Sequence, residues 1–114
     1  MLFVVVAEDH ENGLEHRLAV RPSHLKHLET LGDKLVLAGP FLNAHEKPCG
    51  SLMVIDAADQ AEAEALVKED PFVKQGVFRS YTVRRWHWGI NNPSGWPGAA
   101  QGGDGTERKD STGR

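Results

Sequence analysis

The sequence is poor in the features that would settle its class at a glance. It has a single cysteine, Cys49. No internal disulfide and no Cys-x-x-Cys metal knuckle can form, and a lone thiol fits a reducing cytoplasm. Long apolar runs are also missing: the opening LFVVVA, Leu2 to Ala7, is six residues and leads straight into EDHENG. That is too short for a bilayer span or a signal core. Nor is there an excess of basic charge, since the formal net charge is −3. Asp104, Glu107 and Asp110 are balanced by Arg108, Lys109 and Arg114 near the C-terminus, so the deficit sits in the rest of the chain. Nucleic acid and anionic membrane are therefore disfavoured as partners. No internal repeat or heptad pattern is visible.

What remains is 114 residues that are 39% hydrophobic and 25% charged, the composition of one globular domain with a modest core. Seven of the twelve glycines lie between Gly89 and Arg114, beside Pro93, Pro97, Ser94 and Ser111. Such a stretch buries too little to offset its ordering entropy. The expected organisation is a domain over residues 1–90 and a flexible Gly/Pro-rich tail over 91–114, with Trp96 able to pin part of the tail.

Hydrophobic periodicity orders the domain. Leu2 to Ala7 is β-branched and apolar at consecutive positions, which reads as a central strand covered on both faces. Asp9 to Gly13 supplies turn residues. Leu14 to Val20 can form a helical turn, but Arg21-Pro22-Ser23 reads as the start of the helix proper, with Pro22 at its first position. Leu25, Leu28 and Leu31 then follow as core positions at helical spacing, and Gly32 ends the run. Lys34 to Leu42 reads as a second strand, and the Gly39-Pro40 pair marks an edge or a bend. A hairpin loop, Asn43 to Pro48, leads to a third strand, Gly50 to Asp56. Asp56 or Asp59 caps the next helix, AADQAEAEALVKED, with its alanines and leucine inward. Val77 to Trp86 is the fourth strand.

The order βαββαβ over about ninety residues predicts an α+β, ferredoxin-like fold with a four-stranded antiparallel sheet and two helices on one face. Two helices leave the other face open, yet its strands are apolar there too. A second copy packed sheet to sheet, forming a dimeric α+β barrel, is the expected cover.

Residues able to carry chemistry are few. His10, His16, His45 and His87 are scattered over loops and strand ends. His24 and His27 are three apart on the first helix, but no HExxH or similar partner completes a metal site. No metal and no cofactor are expected, and His27 reads as a solvated residue. His24 lies in the first turn after Pro22, and Arg17 and Arg21 fall on its stripe if the preceding segment is helical. Its ordinary reading is a half-buried histidine, although an imidazole aimed into a cleft is a ready general base or acid. Asp70, followed by Pro71, reads as an N-cap with proline at the first helical position. A carboxylate held in that way can also fix the tautomer of a nearby imidazole. Spacing alone does not bring the two together. Arg84 to Gly89, RRWHWG, offers arginines beside aromatics of the kind that stack on a nucleobase, but no RNA-recognition motif surrounds it.

Taken in order, R17-x3-R21-P22-S23-H24-L25, A38-G39-P40, G50-S51-L52, D70-P71-F72, G76-V77-F78 and R85-W86 resemble the YciI-like (YCII-related) family of the dimeric α+β barrel superfamily, from Leu2 to about Trp86. The resemblance implies a ferredoxin-like subunit, a homodimer, and an active site pairing a histidine of the first helix with the aspartate of the Asp-Pro motif, here His24 and Asp70. It places Arg17, Gly39, Pro40, Gly50, Ser51 and Phe72 near the pocket. Family members with assigned chemistry include lyases that eliminate chloride from a hydroxylated ring. The reading that follows is a small-molecule enzyme: His24 moves a proton, Asp70 orients it, and Arg17 or Ser51 holds an anionic or hydroxylated group. The alternatives are a non-catalytic module that binds a small ligand and a purely structural dimer.

Overall fold

The computed structural model describes residues 1–93. The elements are β1 (Leu2–Asp9), α1 (Leu14–Leu31), a 3₁₀ turn (Gly32–Lys34), β2 (Leu35–Leu42), β3 (Pro48–Asp56), α2 (Gln60–Lys68), α3 (Pro71–Lys74) and β4 (Phe78–Trp86). The strands form one antiparallel sheet in the order β2-β3-β1-β4. This is the expected α+β, ferredoxin-like arrangement, with α3 as the short helix that Asp70-Pro71 announces and a 3₁₀ turn added. From residue 94 onward the expected tail, Trp96 included, lies outside the described residues.

One face of the sheet carries the core. Phe3 and Val5 of β1 join Met53 and Ile55 of β3, Leu31 of α1, and Ala63 and Val67 of α2 in one buried cluster. A second cluster of Ala7, Val20, Phe72, Val77 and Phe78 lies toward the far end of β1. The opposite face, by contrast, is only partly covered within the chain. Val4 pairs across the sheet with Val54 and Val6 with Leu52, but Val6 is 36%, Leu37 41% and Phe41 39% exposed. The double-faced apolar pattern of β1 is thus answered on one side by the chain's own helices.

Helix α1 corrects the sequence reading. It starts at Leu14 after Gly13, not at Pro22, and carries Pro22 in its interior and His16 near its start. A mid-helix proline removes one hydrogen bond to the carbonyl four residues back, here that of Leu18. Leu18 and Pro22 are both exposed, so this carbonyl is on the wet side of the helix. Arg17 and Val20 are buried and fasten the first two turns to the sheet, and tertiary anchoring of this kind overrides local propensity. The buried stripe is Arg17, Val20, His24 and Leu31. Leu25, expected in the core, is 39% exposed instead, because the polar residues have taken the inward face. His27 is half-buried rather than solvated.

Asp59, not Asp56, caps α2, its side chain accepting from the Glu62 N–H at 2.8 Å. Asp56 pairs with the N-terminal ammonium. Glu62 accepts from the Ala58 N–H at 2.7 Å, and that bond first, then Lys34, holds its carboxyl below the ordinary glutamate range. Of the helix's own alanines only Ala63 is buried; Ala61 and Ala65 face water, and Leu66 is half-buried. Strand β2 runs unbroken through Gly39-Pro40 as an edge strand, the location in which a sheet tolerates proline.

Gly50 is required by contact. A Cβ there would lie 2.4 Å from the carbonyl oxygen of Ala7 and 3.3 Å from the Phe41 ring. The first neighbour is backbone in a central strand and cannot turn aside. Gly50→Ala is therefore expected to destabilise the fold by about 1–3 kcal/mol, measured as a lower midpoint of denaturant unfolding with an unchanged slope.

Candidate active site

The site is assembled by three segments, joined by Asp9 of β1, that meet over the second core cluster. The first is Asp70-Pro71-Phe72. Asp70 is the N-cap of α3 and Pro71 its first residue, and Asp70 Oδ1 accepts from the Phe72 N–H at 2.9 Å. That bond fixes the carboxylate in one orientation. The second segment is α1, which brings His24 alongside. Its Nδ1 lies 2.8 Å from Asp70 Oδ1 and 3.0 Å from Oδ2. Asp70 is 1% and His24 7% exposed. The capping aspartate and the partner of the histidine are the same side chain.

An ionised carboxylate only accepts hydrogen bonds, so with Asp70 ionised the contact assigns the proton to Nδ1 of His24. The neutral ring then has its lone pair on Nε2, which makes no hydrogen bond among the described residues. Phe72 sets the ring plane: its phenyl lies 3.8 Å from the His24 imidazole at 8°, and Phe78 meets Phe72 edge-on at 5.4 Å. The imidazole is held by a carboxylate at one edge and an aromatic face, an arrangement that fixes tautomer and orientation together.

The third segment is β3, which contributes Ser51. Nη2 of Arg17 donates to Ser51 Oγ at 2.8 Å, and Nη1 donates to Asp9 Oδ1 at 3.0 Å and Oδ2 at 2.9 Å. All three side chains are buried. The Arg17 guanidinium also lies 4.7 Å from the centre of the Phe72 ring. Two buried polar groups, His24 with Asp70 and Arg17 with Asp9 and Ser51, therefore share one phenyl.

A cleft of about 170 Å³ opens between α1 and the β2–β3 half of the sheet. Of the residues nominated from sequence, Arg17, His24, Ser51, Gly39 and Pro40 line it, with Leu25, Leu28 and Met53 as apolar walls. Asp70 and Phe72 are not among its lining residues; they touch His24 instead. Gly50 does not line it, and its place is explained by the close approach to Ala7. Gly39 lines it without being forced to be glycine, since a Cβ there would meet nothing within 4 Å. Arg21, exposed at the cleft, belongs to no ion pair among the described residues, unlike Arg17. A larger, open concavity of about 870 Å³ lies among the β1–α1 turn, the β2–β3 hairpin and Arg79. It touches Asp9 but neither His24 nor Asp70, whereas the smaller cleft is lined by His24.

Sequence reasoning missed Asp9, which had been assigned to a turn. A signal was present: Phe3, Val5, Ala7 and Asp9 occupy alternate positions of β1 and all are buried, so the carboxylate continues an inward register. Among the described residues no group of three His, Cys, Asp or Glu side chains could hold a metal ion. His27 lies near enough to Glu69 to help, after Lys74, to hold that carboxyl below its ordinary range. Of the two arginines of RRWHWG, Arg85 is engaged within the fold, donating to the carbonyls of Leu2 and Trp86 and sitting 5.9 Å from the Phe3 ring, while Arg84 is exposed.

Comparison with known proteins agrees with this architecture. Protein YciI of Escherichia coli O6:H1 is 34% identical over 92 residues, spanning 74% of this chain and 94% of that protein. The derivative of benzaldehyde biosynthesis cluster protein C of Emericella nidulans is 38% identical over 72 residues, 55% of this chain and 74% of that protein. Among solved structures, 5-chloro-2-hydroxyhydroquinone dehydrochlorinase of Burkholderia phenoliruptrix, in complex with 2,5-dihydroxybenzoquinone, is similar at a TM-score of 0.74 and 33% identity, covering 82% of this chain and 100% of that chain. Residues 1–87 match the YCII-related domain, and with relatives aligned over most of its length the chain belongs to the YCII-related family.

Proposed function

We propose that the protein is a small-molecule lyase in which Nε2 of His24 is the general base. The observation that carries this reading is the Nδ1 bond to Asp70, which leaves the opposite nitrogen of a cleft-lining imidazole as the free acceptor. In the elimination, an O–H or acidic C–H proton passes to Nε2. The electron pair released forms a new C=O or C=C bond, and the leaving group departs with its bonding pair. Asp70 stabilises the imidazolium so formed, and a positioned base of this kind contributes about 10² to 10⁴-fold. That suffices for an activated substrate.

The size of the cleft supports a substrate of one ring. A cavity of about 150 Å³ accommodates benzene, and this one is about 170 Å³ with apolar walls. Two relatives carry names that concern oxygenated aromatic compounds, which supports a hydroxylated ring as the substrate class. A second copy of the chain covering the exposed face around Val6, Leu37 and Phe41 completes the barrel, and it would remove apolar surface at about 25 cal/mol per Å². No described helix is long and apolar enough to cross a membrane; the single, exposed cysteine fits a reducing compartment.

The test is incubation of the purified chain with 5-chloro-2-hydroxyhydroquinone and related halogenated hydroxylated rings, following chloride release, with sedimentation run in parallel. Elimination that vanishes on changing His24, from a protein sedimenting as a dimer, is the expected result. Ligand binding without turnover on any such ring would identify a binding module, and a monomer would remove the barrel.

A further inference from the structure

Two arginines line the cleft, and only one is available to a ligand's charge. Arg17 is matched by Asp9, which takes both hydrogen bonds of Nη1 at 3.0 and 2.9 Å. Its remaining recorded bond runs from Nη2 to Ser51 Oγ at 2.8 Å. A guanidinium has donors alone, whereas a serine hydroxyl has one donor and two acceptor sites. Oγ must therefore accept from Arg17, and the hydroxyl proton is left over. Ser51 is 4% exposed, it lines the cleft, and no described protein group accepts its proton. A buried donor without a partner is costly, and native structures supply one. With no acceptor among the described residues, the open side left to it is the cleft that Ser51 lines.

We propose that Ser51 is a ligand-binding hydrogen-bond donor selective for an acceptor oxygen, carbonyl or enolate, and that Asp9 is a positioning residue that acts through Arg17 to hold the serine in that polarity. The inference rests on the reading of the cleft as a small-molecule site and adds the substrate class: a ring that presents an acceptor oxygen to β3 while His24 handles a proton nearby. It also revises the part assigned to Arg17. With its charge matched by Asp9, the guanidinium orients the serine and does not itself receive the ligand's anion. When His24 removes a proton from such a ligand, the electron pair delocalises onto the oxygen held by Ser51. A donor fixed in advance at the place where charge develops is the economical way to stabilise it.

The test uses the full chain and two neutral probes of nearly equal shape, acetophenone and α-methylstyrene, which differ by a carbonyl oxygen against a methylene. Binding is titrated by NMR shifts of the cleft residues. The ketone is expected to bind roughly fivefold or more tightly than the alkene, a ratio equivalent to one ordinary hydrogen bond. Ser51→Ala should abolish that preference and Ser51→Thr should retain it. Asp9→Asn should weaken the preference in the wild-type background and change nothing further in Ser51→Ala. Equal binding of the two probes, or no binding of either, overturns the proposal; an Asp9→Asn effect that persists in Ser51→Ala overturns the positioning role. Neither probe carries a leaving group, so failure of the His24 chemistry leaves this result intact, and a lost ketone preference leaves the chemistry of His24 untouched.

Discussion

His24→Asn is expected to lower turnover of a halogenated hydroxylated ring by about 10² to 10⁴-fold while the chain stays folded. The asparagine amide can still donate to Asp70, which lies 2.8 Å from Nδ1 in the native arrangement, so the buried carboxylate keeps a partner. What disappears is Nε2, the proposed base. Asp70→Asn complements it. The amide oxygen can continue to accept from the Phe72 N–H, now bonded at 2.9 Å, so α3 keeps its cap, since Asn and Asp cap about equally well. Turnover should nevertheless fall, because an amide neither fixes the Nδ1–H tautomer as a carboxylate does nor balances an imidazolium. Asp70→Ala removes cap and partner at once and adds a stability loss of about 0.5–2 kcal/mol. Stopped turnover at unchanged stability in Asp70→Asn separates chemistry from capping; unchanged turnover in either asparagine variant contradicts the assignment.

The largest effect on stability is expected at Arg17. Arg17→Met keeps much of the side-chain volume but leaves Asp9, 9% exposed, without the guanidinium that occupies both its oxygens. Breaking one side of a buried ion pair costs about 3–5 kcal/mol, a large share of the stability of a domain this small. The Arg17→Met, Asp9→Leu double variant removes both charges and should recover most of that loss, because the penalty comes from the stranded carboxylate and not from the absence of the pair. Denaturant midpoints for the two single variants and the double variant decide the matter. A double variant less stable than Arg17→Met would show that the pair itself holds the fold. The double variant should also lose the ketone preference described for Ser51, however stable it proves.

The sheet was legible because its signals are local. β-branched runs, the Gly32 stop and the Asp-Pro cap each act within a few residues, and the strand order follows once βαββαβ is recognised. The start of α1 was not, because proline at the first helical position and proline in the interior differ in what lies before them. Here the deciding contacts of Arg17 and Val20 are with distant strands. Leu25 was misplaced for a related reason: the inward face of α1 was chosen by Arg17 and His24, whose partners come from β1, β3 and the Asp70 cap. A hydrophobic pattern cannot announce a buried stripe that is half polar. Asp70 could be read as a cap from its own neighbours, but its contact with His24 spans 46 positions. That pairing came from family resemblance and not from spacing. Asp9 belonged to no quoted motif and could have been found only by continuing the alternation of β1 one step beyond its apolar residues.

On the proposed mechanism Asp70 holds the proton of the neutral His24 ring on Nδ1 and leaves Nε2 bare for the substrate. Long-range ¹⁵N–¹H correlation spectra of the histidine rings, recorded at a pH where His24 is neutral and assigned with His24→Asn, read that tautomer directly. The expected result is a protonated Nδ1 and an unprotonated Nε2 for His24 in the wild-type chain. A neutral ring protonated at Nε2 would contradict it, since the cleft would then face a donor where the mechanism needs a base.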